Sequence, residues 1–130
     1  LEQTEDSPRV VLDVRNNIYE ISGESRPENA ASFYAPIMLW LENLKSVLFW
    51  QKTEFHKPQD LIFSFKLDYF NSTSAKYIMD ILLLFEKMKS DGQKVRVSWY
   101  YRTEDEDMKN AGEEFAKSLS VLIMDMIPVS

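Results

Sequence analysis

Four successive polar side chains, Asn71-Ser72-Thr73-Ser74, are the residues of this chain best suited to chemistry. They stand between an alternating apolar run and a helix-like one, where a helix would begin. Asn, Ser and Thr are favoured at such a place because their side-chain oxygens accept from the unpaired N–H groups of the first turn. One such residue completes a cap; four leave hydroxyls over. Two readings of that surplus stand side by side. It is a redundant cap worth about 1 kcal/mol with spare hydroxyls in water, or it is an acceptor for a phosphoryl group. A phosphate would bring about two negative charges to the positive end of a helix, where N–H groups and Lys76 would receive it and Asp68 would repel it. A partner docked there in the unmodified form would be expelled by the added charge and bulk.

Other chemistries find less material. The single histidine, His56, lies in a loop next to Pro58 with no nucleophile near it in sequence, and no Gly-x-Ser-x-Gly elbow is present. Three glycines in 130 residues leave no GxGxxG or phosphate-cradling loop. The run Glu104-Asp105-Glu106-Asp107 lacks the alternating ligands and turn glycine of a calcium loop, and reads as a solvated helix start. Asp68 and Asp80 are a conceivable acid–base couple that nothing in the sequence brings together. The absence of cysteine excludes disulfides, thiolate-bound zinc, iron–sulfur clusters and thiol nucleophiles. No catalytic residue, metal site or cofactor is therefore assigned. A net charge of −6 disfavours nucleic acid. The longest apolar run, Ile81 to Phe85, falls far short of a bilayer span, and the acidic start Leu1-Glu2-Gln3-Thr4-Glu5-Asp6 is unlike a secretory leader. A cytoplasmic protein is expected.

The elements that must position the hydroxyl turn follow from hydropathy period. Val10 to Val14 and Ile18 to Ile21, joined at Asn16-Asn17, form a hairpin ended by Gly23. Ser25 and Glu28 have capping-box spacing, with Pro27 in the first turn. A helix follows through Phe49, and Pro36 implies a kink there or a start near Ser32. Leu61, Phe63, Phe65 and Leu67 alternate as a strand, and Ser74 to Ser90 is a second helix. The apolar residues of that helix exceed one stripe, which means either deep burial or a partner-binding face. Asp91-Gly92 stops it. Val95 to Tyr101 is a strand, Asp105 and Asp107 open a third helix to about Ser118, and Val121 to Ile127 is a last strand closed by Pro128. The order β-β-α-β-α-β-α-β predicts an α/β (α+β) fold. It would have one mixed sheet of about five strands, an antiparallel edge hairpin, and three to four helices mainly on one face. Residues 1–8 would form a flexible N-terminal segment and 9–130 one domain.

Three separated motifs in order carry a family resemblance. They are Gly23-Glu24-Ser25-Arg26-Pro27-Glu28-Asn29-Ala30, Tyr69-Phe70-Asn71-Ser72-Thr73-Ser74-Ala75-Lys76, and Trp99-Tyr100-Tyr101 with the later Gly112-Glu113-Glu114-Phe115. From about Val10 to about Met126 the chain resembles the SiaC-type bacterial regulatory phosphoproteins, which are similar to anti-sigma-factor antagonists in logic and domain type. The resemblance implies a non-enzymatic protein switched by a serine/threonine kinase and a PP2C-type phosphatase. When unphosphorylated, such a protein binds and activates a diguanylate cyclase, raising cyclic-di-GMP and favouring biofilm growth. The family's acceptor is the residue after the asparagine, which here is Ser72, with Thr73 the alternative. Asp68, Asn71, Ser74 and Lys76 would support the phosphosite. Arg26, Glu28, Asn29, Tyr69 and Tyr100 are candidates for a partner interface.

Two other classes remain open from the residues alone. One is a constitutive oligomerising domain, such as a homodimer through the second helix. The other is a small enzyme using Asp68 or His56, which would need a ligand-sized cavity around those side chains.

Overall fold

Alternation builds five strands and the helical period three helices. In the computed structural model these are β1 (Arg9–Asp13), β2 (Ile18–Ser25), α1 (Ala30–Phe55), β3 (Leu61–Phe70), α2 (Ser72–Ser90), β4 (Val95–Arg102), α3 (Glu106–Lys117) and β5 (Ile123–Val129). The structure describes residues 4, 7–14, 16–55 and 60–130, with 49–55 by backbone alone. Most of the 1–8 segment and His56 lie outside the described residues.

The sheet order is β1-β2-β3-β4-β5. β1 is antiparallel to β2, and β2/β3, β3/β4 and β4/β5 are parallel. A sheet that grows always toward the same edge by crossovers of one hand places every crossover helix on the same face. Ring contacts bear this out. Trp40 of α1 meets Tyr19, Phe85 of α2 meets Phe63, and Phe115 of α3 meets Trp99, at centroid separations of 6.2, 5.0 and 5.6 Å. The core lies between that face and the helices. Leu61, Phe63, Phe65 and Leu67 of β3 and Val95, Val97 and Trp99 of β4 are buried against Ile78, Ile81, Leu82 and Phe85 of α2. The opposite face bears no helix among the described residues. It is laced instead by cross-strand ion pairs, Lys66–Glu20 at 2.9 Å and Arg96–Asp125 at 3.0 Å.

Several boundaries differ from the sequence expectations. β2 does not end at Gly23 but passes through it, at φ 97°, to Ser25. The Ser25–Glu28 capping box therefore does not form. Asn29 caps α1 instead, its Oδ1 accepting from Ser32 N–H at 3.1 Å. α1 starts at Ala30, before Ser32, and runs on through Pro36, which is exposed. Pro128 lies within β5 rather than beyond it. An edge strand tolerates a proline whose missing N–H would point away from the ladder. The apolar excess of α2 resolves into one buried stripe, with Leu83 left 47% exposed.

The turn between α3 and β5 hangs on one side chain of α2. The Glu86 carboxylate accepts N–H bonds from Ser120, Val121 and Leu122 at 2.6–2.7 Å. Desolvation raises the Glu86 pKa, but the three backbone donors together outweigh it and hold the carboxyl below its ordinary 4.5. A depressed carboxyl pKa adds stability that is complete above the unfolded value and fades as pH falls through the folded one. Glu86→Gln is expected to cost about 1–2 kcal/mol at neutral pH. In urea titrations the gap to wild type should be constant above pH 4.5 and narrow below it. A gap unchanged at pH 3 would show that the charge contributes nothing.

Candidate functional site

The hydroxyl turn sits where β2 and β3 end side by side. Their pairing is regular from Tyr19↔Phe63 to Gly23↔Leu67, then shifts to Glu24↔Tyr69 and Ser25↔Phe70. Asp68 is the extra residue of a β-bulge, which resets alternation. Asp68 and Tyr69 both stay exposed, and Phe70 is turned onto the core, edge-on to Trp99 at 6.1 Å and tilted on Phe115 at 5.9 Å. The next residue, Asn71, is thereby set against the end of β2, its N–H donating to Ser25 O at 3.0 Å.

Asn71 is the N-cap of α2. Its Oδ1 accepts from Ser74 N–H at 2.8 Å, the bond that its type and position predict. The three hydroxyls then part company. Ser72 and Thr73 are exposed, whereas Ser74 is fully buried. Ser74 Oγ donates to Ser25 O and accepts from Ser25 Oγ, both at 2.9 Å. Ser25 Oγ also forms a very short hydrogen bond with the Tyr34 hydroxyl. The donors run in one direction, from Tyr34 through Ser25 and Ser74 to the Ser25 carbonyl, which accepts from Asn71 N–H as well. Burial pushes the Tyr34 phenol up despite its hydroxyl partners, so it remains a donor. Its ring stacks on Tyr77 of α2, 5.5 Å away and nearly parallel. Ends of β2, α1 and α2 are thus tied together directly beneath the two exposed hydroxyls.

This network gives a stability prediction. Ser74→Ala and Tyr34→Phe are each expected to cost about 1–2 kcal/mol, because each leaves Ser25 with a buried group short of a partner. The double variant should cost less than the sum, since both remove bonds of one chain. Additive losses in urea unfolding would mean that the two hydroxyls act separately.

Of the expected support residues, Asn71 and Ser74 act structurally, as cap and as buried anchor. Lys76 is exposed one turn after Ser72, its Nζ 5.4 Å from the Tyr77 ring centroid. Asp68 pairs with Arg102 at 3.7 Å. Arg26 donates to Glu24 at 2.8 Å, and its guanidinium lies 5.4 Å from the Tyr69 ring centroid. Glu28 is exposed, and Asn29 is engaged as the α1 cap. Tyr100 does not join the turn. It lies on the open face of the sheet under the Lys66 ammonium, 4.8 Å from its ring centroid.

Sequence reasoning missed Tyr34 and the true role of Ser25. The available signal was Pro27, which biases Arg26 to extended backbone and so favours a strand, not a helix cap, through Ser25.

Asp68 borders two surface cavities. One, of about 330 Å³, is lined by Lys66, Tyr100, Tyr101 and Arg102 among others. The second, of about 280 Å³, adds Asp105 and Asp107. No cluster of three metal-ligating side chains forms among the described residues, nor is any described helix long and apolar enough to cross a membrane.

Comparison with known proteins places this architecture. A chain in the crystal structure of the diguanylate cyclase SiaD in complex with its activator SiaC, from Pseudomonas aeruginosa, superposes with a TM-score of 0.84 at 24% identity. The match covers 98% of this chain and 96% of that one. A structure of SiaC of Pseudomonas aeruginosa gives 0.82 at 23% identity, over 99% and 96% of the two chains. An uncharacterised protein of Pseudomonas aeruginosa (strain UCBPP-PA14) is 27% identical over 117 residues, 90% of this chain and 86% of the relative. The model of the SiaC family regulatory phosphoproteins matches residues 1–129. With that match spanning nearly every residue, including the turn at the start of α2, the chain belongs to the SiaC family of regulatory phosphoproteins.

Proposed function

We propose that this chain is a non-enzymatic, cytoplasmic switch that binds and activates a diguanylate cyclase while unphosphorylated and releases it when Ser72 is phosphorylated. The observation that carries the reading is the division of the hydroxyls. Ser72 and Thr73 stand in solvent on the first turn of α2, and Ser74 beneath them is sealed into a buried network. A kinase needs an accessible acceptor, and a phosphate there gains the field of the helix N-terminus and the Lys76 ammonium one turn on. Ser72 occupies the acceptor position implied by the family motif, and Thr73 is the alternative. A serine/threonine kinase adds the group and a PP2C-type phosphatase removes it. The complex of SiaD with its activator SiaC supports a cyclase as the partner class. Residues 9–130 act as one regulatory domain, and the rim formed by Arg26, Glu28 and Tyr69 is offered to the partner.

The test is to map phosphorylation by mass spectrometry on protein from its own host and to assay that host's cyclases. Modification at Ser72 or Thr73, with cyclic-di-GMP synthesis raised only by the unmodified form, is the expected outcome. Protein never modified in the turn, or equal stimulation by both forms, would overturn the reading.

A further inference from the structure

β2 and β3 run parallel and leave the sheet together at Ser25 and Phe70, the last paired residues. Asn71 N–H still reaches Ser25 O at 3.0 Å. Arg26, the first residue past β2, and Ser72, the first residue of α2 just after Asn71, are therefore neighbours at the same rim. Pro27 restricts Arg26 to extended backbone, which fixes where its side chain starts. The guanidinium is engaged on two sides, by the Glu24 carboxylate at 2.8 Å and by the Tyr69 ring at 5.4 Å. Both members of the Arg26–Glu24 pair are exposed, at 46% and 38%. Water and salt weaken an ion pair of that kind.

We propose that Arg26 binds the phosphoryl group carried by Ser72, exchanging Glu24 for the phosphate while the guanidinium stays near the Tyr69 ring; the inference rests on Ser72 being the acceptor. A phosphate near neutral pH carries close to two charges and three acceptor oxygens, against one charge on Glu24. The planar fork of arginine matches phosphate oxygens two at a time, which the point charge of Lys76 does not. Glu24 and Tyr69 hold the guanidinium at the rim before the modification arrives. The exchange also strips Glu24 of its cation. A partner seated on the rim then meets a phosphate only half compensated, a displaced arginine and a newly bare carboxylate, all from one modification.

The experiment uses the full chain with phosphoserine placed at position 72 during translation, so that no kinase is needed. Its ³¹P signal is titrated, and the Arg26 Nε–H resonance is followed in ¹H–¹⁵N spectra. The phosphoserine second pKa, ordinarily about 6, is expected to lie lower in wild type than in Arg26→Gln by about half a unit, with Arg26→Lys between them. The Arg26 Nε–H resonance should shift and exchange more slowly in the phosphorylated protein. Raised salt should shrink the shift without abolishing it, because a contact pair is screened less than distant charge. Phosphothreonine at 73, one residue further into the helix, should leave that resonance unmoved. The inference is overturned if Arg26 does not respond to phosphate at 72, if it responds only at 73, or if Lys76→Gln and not Arg26→Gln raises the pKa. None of these readings involves a cyclase. Failure of the switch in activity assays would leave the Arg26 result standing, and the reverse holds too.

Discussion

Gly112→Ala is expected to lower stability by about 2–3 kcal/mol, although alanine is the better helix former by about 1 kcal/mol. Gly112 lies in the middle of α3, over the buried Trp99. A Cβ at this position would stand 2.5 Å from Trp99 Cδ1, 2.6 Å from its Nε1 and 2.8 Å from Met126 Cε. The methionine end can swing aside; the indole cannot. Its N–H donates to Met108 O at 3.0 Å, and its rings are wedged among Phe65, Phe70 and Phe115. The added methyl must therefore lift α3 from the sheet, and with it the packing that seats Phe70 beside the turn. For a domain of this size, a loss of that order lowers Tm by about 10 °C. Calorimetry on the single variant and on Gly112→Ala with Trp99→Phe checks the cause. The smaller ring should recover part of the alanine penalty, and a single variant as stable as wild type would show that α3 has room to spare. Gly112 thus has a physical role within the Gly112-Glu113-Glu114-Phe115 motif: only a residue without a side chain lets α3 approach the indole this closely.

A phosphoryl group on Ser72 is expected to weaken binding to the activated cyclase by about 100-fold, which corresponds to about 2.7 kcal/mol. An interface closed over the turn would have to desolvate close to two charges, and the bulk of the group would hold the surfaces apart. Ser72→Ala should bind like wild type and no longer respond to the kinase, provided Thr73 is not used. Ser72→Asp should lie between, because a carboxylate brings one charge and fewer acceptor oxygens. Calorimetric titration of the four forms against one cyclase gives the order. Equal affinities across the series would place the docking surface elsewhere on the molecule.

Local patterns in the chain were sufficient for much of this. Leu61, Phe63, Phe65 and Leu67 alternate, and they form the buried face of β3. Asn71 has the side chain of an N-cap and performs as one, as does Asp105, whose carboxylate accepts from Met108 N–H at 3.0 Å. Asp91-Gly92 ends α2, with Gly92 at φ 94° as a helix stop requires. Each of these signals is complete within a few residues, because caps and hydropathy periods act between near neighbours.

The hydroxyl turn itself shows where that reach ends. Sequence by itself determined that a helix would follow the hydroxyl turn, expected from Ser74 where the structure starts it at Ser72, and that more hydroxyls stood there than a cap needs. It also carried the family resemblance and pointed to Ser72. Only the tertiary structure decided that Ser74 is buried and that Ser72 and Thr73 remain in water. It likewise converted Ser25 from an expected helix cap into the centre of the network beneath them. The reason is distance along the chain. Ser74 meets Ser25 across 49 residues, and Tyr34 meets Ser25 from a different helix. Nothing local to the turn records either contact. The bulge at Asp68, which turns Phe70 inward and sets Asn71 against β2, depends in the same way on pairing between strands.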